Sequence, residues 1–237
     1  MNKERFSIEP IAECSILLRF LAEVNAENSM LIGALATDIR KRFGAMIMNV
    51  TPSYNSILVD YLPYRINESS FVSQLRQLSH EFSFNSQSHS VKTTTLPAYY
   101  SRETALDFSR FETKGINLDE LIEIHTSQTY SVSAIGFSPG FAFLSDVSDK
   151  ISMPRLTTPR LSVPKGSIGI ADSKTAVYPS QSPAGWNIIG NCPIPLFDLT
   201  RANQHSADSI SVFSIGDSVK FEAIDYPTYL ALGGEEL

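Results

Sequence analysis

Cysteine is nearly absent. The 237 residues hold two, Cys14 and Cys192, far apart in the chain. That resembles neither a disulfide framework nor a Cys-x-x-Cys pair, and it points to a reducing, cytoplasmic setting. Basic charge is also short: 19 Lys and Arg face 25 Asp and Glu, for a net charge of -6. A chain of that sign is not built for general binding to nucleic acid or anionic membrane. No apolar run approaches the ~20 residues that span a bilayer. The start, Met1 to Pro10, carries charges without an apolar core or a small-residue cleavage site, so no signal peptide is expected. What is present is a 43% hydrophobic fraction, enough for a sizeable core and too high for a disordered tail. The length fits one large or two small domains.

Residues 1–98 alternate between strand and helix patterns. Ser15 to Phe20 is β-compatible. From Met30 to Phe43 apolar residues fall on one face at three- and four-residue steps, with Ser29 as the expected N-cap and Gly44 as the stop. Ala45 to Val50 and Ser56 to Tyr61 read as strands around a turn at Pro52 to Asn55. A second helix is expected over Glu68 to Phe82, and Ser90 to Leu96 reads as a closing strand. The order β-α-β-β-α-β is the ferredoxin-like arrangement. Residues 99–128 read as two helical pieces joining the halves, the second capped by Asn117.

From Gly136 the composition shifts. Eight of the 13 prolines and six of the 12 glycines fall between Gly136 and Phe197. Short β-like runs at Ser162, Ser167 to Ile170, Ala176 to Tyr178 and Asn187 to Ile189 suit an all-β barrel or sandwich. The expected fold is therefore α+β, an α/β domain over 1–98 and a β domain over 99–237.

Gly136-Phe-Ser-Pro-Gly140 matches the G-x-S-x-G nucleophile elbow. The residue after the serine must lend an N–H to the oxyanion, and Pro139 has none. A rigid turn burying Phe137, Phe141 and Phe143 is the expected alternative. Ser162-Val-Pro-Lys165 matches S-x-x-K, but Pro164 argues for strand rather than the helix that motif needs. Arg155, Arg160 and Lys165 each follow a proline at five-residue intervals. Stiff backbone could hold all three on one surface for a phosphate or carboxylate, or they are solvated loop charges. His80, His89, His125 and His205 have no metal-ligand spacing. His125, on an apolar helix face, reads first as a core histidine. Trp186, the single tryptophan, is either a core anchor or a wall for a ligand.

The stretch from His125 to Asp198 resembles one family. The residues that carry this are His125 with Tyr130, Gly136 to Leu144, Pro154-Arg155, Thr158-Pro-Arg160, Val163 to Ala171, Tyr178-Pro179, Ser182 to Trp186, Ile189-Gly190, Pro193 and Leu196 to Asp198. They run in the order found in the family of 5-oxoprolinase B subunits, also called KipI-like or allophanate hydrolase subunit 1, with its carboxyltransferase-type domain. The resemblance implies a cyclophilin-like β-barrel for the second domain. It implies one component of a multi-subunit, ATP-dependent enzyme that opens the lactam ring of 5-oxoproline to glutamate. The partners would be an A component of the LamB/YcsF type and a C component related to allophanate hydrolase subunit 2. Two other roles occur in the family: inhibition of a sensor histidine kinase, and carboxyl transfer or hydrolysis on urea and allophanate.

On that reading His125, Arg160 and Ser167 are the candidate catalytic residues. His125 would relay a proton at its ordinary pKa of ~6.5. Arg155, Arg160 and Lys165 would meet phosphate, and N–H groups at Gly166 and Gly169 with Ser167 would meet an oxyanion. Phe137, Pro139, Tyr178 and Trp186 would wall the pocket. The sequence departs from the family pattern at Lys174, where relatives have glutamine, and at Asn191, where they have arginine. Those two positions join the candidate binding residues.

Overall fold

A computed structural model describes residues 6–21, 23–82, 91–200 and 210–236. His89, Ser90 and His205 lie outside the described residues. The chain divides into two compact units, Met1–Val91 and Lys92–Leu237.

The first unit holds β1 (Phe6–Ala12), β2 (Ser15–Phe20), α1 (Ala26–Phe43), β3 (Ile47–Ser53), β4 (Ser56–Tyr61) and α2 (Glu68–Glu81). Its strands lie in the order β1-β2-β4-β3, all antiparallel. Along β2 and β4 every second residue points inward, giving Ile16, Leu18 and Phe20 beside Ile57, Val59 and Tyr61. Leu35, Ile39 and Phe43 of α1 and Phe71 and Leu75 of α2 complete this core. The period of two on the strands and of three to four on the helices is what one covered sheet face demands.

Details differ from the sequence reading. Helix α1 starts a turn earlier, because the Asn28 N–H donates to Asn25 Oδ1 at 2.8 Å. Asn25 is thus the cap, and Ser29 is fully buried within the helix. Pro52 lies in β3, and the β3–β4 turn narrows to Tyr54-Asn55, with Tyr54 at φ 42°. The larger correction concerns the ferredoxin-like topology. In that arrangement the last strand pairs beside the first. Here β1 occupies that edge, and the expected closing strand, β5 (Thr93–Ala98), runs parallel to a strand of the second unit. Leu96 and Ala98 are buried in the second core. The units accordingly divide after Val91, ahead of the boundary expected at residue 98.

The second unit continues with α3 (Phe108–Glu112), α4 (Leu118–Thr126), β6 (Thr129–Ile135), β7 (Ala142–Ser145), β8 (Arg160–Val163), β9 (Ser167–Ala171), β10 (Lys174–Val177), β11 (Ser182–Ala184), β12 (Asn187–Asn191), β13 (Ser218–Ala223) and α5 (Tyr226–Ala231). The strands follow one another as β5-β13-β6-β7-β10-β9-β12. The ladder then returns to its start. Tyr99 and Asn191 form a bridge in which each N–H donates to the other's carbonyl, at 2.8 and 2.9 Å. Strands β8 and β11 pair separately. The two helical pieces expected between the halves belong to this unit, and Phe111 and Leu121 enter its core beside Tyr130, Ile168, Ile170 and Phe221. Asn117 caps α4 as expected, accepting from the Glu120 N–H at 2.9 Å.

Closure depends on glycine at Gly166, whose φ is 80°. A Cβ there would sit 2.3 Å from the Cys192 carbonyl oxygen. Gly115 has the same φ, with nothing within 4 Å of its Cβ position. Gly115→Ala should therefore cost about 1–2 kcal/mol, the left-handed penalty alone. Gly166→Ala should cost clearly more, since overpacking adds about 1–3 kcal/mol. Urea unfolding of both variants checks the difference, and equal losses would contradict the close approach.

Candidate functional site

The turn joining β6 to β7 is Gly136-Phe-Ser-Pro-Gly140. Hydrogen bonds from the Ser138 N–H to Gly136 O (2.9 Å) and from the Phe141 N–H to Ser138 O (3.0 Å) tie it. A strand follows it, not a helix, so the G-x-S-x-G match does not make a nucleophile elbow. Phe141 is buried as expected, but Phe137 is 65% exposed. Its φ of 71° turns it out of the chain's path, an uncommon conformation for a bulky side chain. Pro139 is exposed at the tip.

Beneath Phe137 lies a group of rings. Phe137 meets Tyr178 edge-on at 6.1 Å and Phe141 at 5.1 Å. Phe141 meets Tyr178 at 5.1 Å and Trp186 at 5.7 Å, and Phe143 meets Trp186 at 5.8 Å. Gly169 makes room for this packing, since its Cβ position is 3.0 Å from Trp186 Cβ and 3.4 Å from Tyr178 Cε2. The Arg155 guanidinium lies 5.8 Å from the Trp186 ring. Burial pushes the Tyr178 hydroxyl up to about 12, with Arg155 pulling the other way, so it is a phenol at neutral pH. The structure thus brings together Phe137, Arg155, Gly169, Tyr178 and Trp186.

It does not bring the three cations together as free charges. Arg160 is committed to Asp107, with Nη1 to Oδ2 at 2.8 Å and Nη2 to Oδ1 at 2.7 Å. Asp107 is buried and also accepts the Ile188 N–H at 2.7 Å. Lys165 is exposed on the turn between β8 and β9. Two of the proposed oxyanion donors are engaged too. The Gly166 N–H donates to Tyr178 O at 2.8 Å, and Ser167 Oγ donates to Pro164 O at 2.7 Å. Asn191 is structural, with Nδ2 donating to Lys165 O and Oδ1 accepting from the Tyr229 hydroxyl.

His125 is fully buried. Tyr100 is held protonated by burial and lies 2.7 Å from Nδ1, and Thr175 Oγ1 lies 3.1 Å from Nε2. Thr175 gives its own proton to Gly169 O. Its oxygen must then accept, so Nε2 carries the histidine's hydrogen and Nδ1 accepts from the phenol. The Tyr130 hydroxyl donates to the His125 carbonyl at 2.8 Å. Burial pushes His125 down to about 3, which corrects the expectation of a relay at its ordinary pKa. Lys174 donates to Ser145 Oγ at 2.9 Å, and Ser145 shares a hydrogen bond with Ser133. Burial lowers Lys174, opposed by Asp146. This group sits at the end of β7 away from the turn.

Two residues that organise the site carried no motif signal. Asp107 lies outside the matched stretch. Asn187 read only as strand, yet it is fully buried and donates to Pro154 O at 3.1 Å and Ile170 O at 2.8 Å. Short side chains with this reach show themselves only once the strands are placed.

The His125 environment predicts an acid sensitivity. Its folded pKa is below the unfolded one, so the unfolded chain takes up the proton first and stability falls as pH drops from about 6.5 toward 3. Between pH 7 and pH 5 the loss should be about 2 kcal/mol. His125→Gln should flatten that part of the profile, measured by denaturant midpoints at the two pH values. An unchanged slope would contradict the neutral, enclosed imidazole.

Comparison with known proteins places this geometry. Residues 6–207 match the family described as carboxyltransferase domain, subdomain C and D. A Bacillus subtilis protein named as a 5-oxoprolinase B subunit is 30% identical over 237 residues, covering 96% of each chain. A larger protein of known crystal structure superposes on 90% of this chain with a TM-score of 0.76 and 25% identity, and this chain spans 40% of its length. The Kluyveromyces lactis urea carboxylase shares the fold over 95% of this chain, with a TM-score of 0.68, 16% identity and 22% of that chain covered. The chain belongs to the carboxyltransferase-domain family of subdomains C and D, among relatives named as 5-oxoprolinase B subunits.

Proposed function

We propose that this chain is the B component of a 5-oxoprolinase-like assembly that couples ATP hydrolysis to opening of the 5-oxoproline lactam. The observation that carries this reading is the match to a protein of that name over 96% of both chains. A B component requires companions, and the proposed ones are a LamB/YcsF-like A component and a C component like allophanate hydrolase subunit 2. In this reading the ladder of the second unit is the family's cyclophilin-like barrel.

The local chemistry supports a component rather than a complete enzyme. His125 is enclosed and neutral, Arg160 is neutralised by Asp107, and the Gly166 N–H and Ser167 hydroxyl already have acceptors. Those same commitments are a poor fit for ATP on this chain. A triphosphate needs several free cations and N–H donors converging on it, and the loop with Lys165 and Gly166 offers a single lysine and a committed amide. In this reading the nucleotide is held mainly by a partner. Among the described residues no helix is long and apolar enough to cross a membrane.

The test is ATP-dependent glutamate release from 5-oxoproline, with this chain alone and with the candidate A and C components. Activity is expected only in the mixture. An assembled mixture that opens no 5-oxoproline would overturn the reading. Turnover of urea or allophanate instead, or suppressed autophosphorylation of a sensor histidine kinase, would move the function to one of the family's other roles.

A further inference from the structure

We propose that Arg155 and the Tyr178 hydroxyl form a binding site for the carboxylate of a small cyclic acid, whose ring lies under Phe137, close to the buried Trp186. The proposal deepens the 5-oxoprolinase reading by naming what this chain grips, and its ligand class rests on that reading.

Four observations converge. First, Arg155 has no ion pair and no hydrogen-bond acceptor among the described residues, unlike Arg160. Second, its backbone is held although its side chain is free. The Pro154 carbonyl before it accepts from Asn187 Nδ2 at 3.1 Å and Arg110 Nη1 at 3.2 Å, and the Leu156 N–H after it donates to Gly185 O at 2.8 Å. A free guanidinium on a fixed backbone is pre-organised for a carboxylate, which it meets with two parallel N–H bonds.

Third, the Tyr178 ring is buried while its hydroxyl reaches the surface, where it has no hydrogen-bond partner among the described residues and the Arg155 charge acts on it. A phenol fixed at the surface by its packed ring is a ready donor to a carboxylate. Fourth, Phe137 is exposed at φ 71° and is supported edge-on by Phe141 and Tyr178. Strain of that kind persists where a site needs it, and here it stands an aromatic wall above the Tyr178 edge. A charged clamp beside aromatic walls fits a ring that carries one carboxylate. A triphosphate would need more cations than Arg155 supplies.

The protein supplies its own reporter, because Trp186 is the single tryptophan. The whole chain is titrated with 5-oxoproline, with benzoate and with 2-pyrrolidinone, which keeps the lactam and lacks the carboxylate, while Trp186 fluorescence is followed. Saturable change is expected with the carboxylates, and binding about tenfold or more weaker with 2-pyrrolidinone. Arg155→Gln should weaken the carboxylates by about tenfold or more, and Tyr178→Phe by roughly fivefold. Arg155 is exposed, so its replacement should leave the melting temperature unchanged, and a melt of each variant verifies that.

Equal binding of the two lactams, unaltered binding by Arg155→Gln, or no saturable change with any carboxylate would overturn the proposal. The two readings separate cleanly. Arg155-dependent binding of benzoate in a chain whose assembled complex opens no 5-oxoproline keeps the carboxylate site and removes the 5-oxoprolinase reading. Ring opening by the assembly with a KM that Arg155→Gln leaves unchanged does the reverse.

Discussion

The second unit rests on the bridge between Tyr99 and Asn191, where a ladder of hydrogen-bonded strands meets its own beginning. Two backbone hydrogen bonds are a small energy beside the core they enclose. Their consequence is geometric, because this one residue pair brings the end of β12 back to the chain just after β5. Backbone must come very close to backbone there. A Cβ at Gly190 would lie 2.8 Å from the Tyr100 ring and 2.9 Å from the Tyr99 carbonyl, and one at Gly166 would strike the Cys192 carbonyl. Asn191 adds side-chain bonds to the Lys165 carbonyl and the Tyr229 hydroxyl, fixing the neighbouring turn and α5 to the seam.

Closure also sorts the polar residues into two populations. Most of those inside are satisfied by one another, the Thr94 and Ser182 hydroxyls being exceptions. Tyr100, His125, Thr175 and the Gly169 carbonyl form one chain of donors and acceptors, and a low-dielectric interior makes such a chain costly to leave incomplete. Asp107 answers both Arg160 and the Ile188 N–H. Outside the seam, near the β6–β7 turn, the pattern reverses. Arg155 and the Tyr178 hydroxyl are held in place by neighbours that, among the described residues, do not bond to their polar ends. Gly169 joins the populations: its carbonyl ends the buried chain, and its missing side chain admits Trp186 and Tyr178.

Much of this was legible in the residue pattern. The proline-punctuated runs from Ser162 to Ile189 became strands because β-branched residues between turn formers have few other conformations. Asn117 capped α4 because a short amide before a helix satisfies an orphan N–H. Phe141 was buried as expected, and Tyr178 and Trp186 pack against it. Arg160 and Ser167 were visible as chemical groups, but their partners, Asp107 and the Pro164 carbonyl, were not. Phe137 was expected inside, and its left-handed backbone put it outside.

By itself the sequence determined most local elements, though not β1, together with the membership of the family and the residue types available for a site, since each depends on neighbours a few positions away or on motif order. Tertiary structure decided which strand pairs with which and which charges stay free. Thr93 to Ala98 had the composition of a strand in either unit, and only the burial of Leu96 and Ala98 beside Phe221 of β13 chose the second. Arg155 and Arg160 look alike in sequence, each after a proline. They differ because folding brings Asp107, 53 positions away, onto Arg160 and brings no such partner onto Arg155 among the described residues. Hydrogen bonds reach about 3 Å regardless of chain separation, so the fate of a charge is settled by what the fold sets beside it.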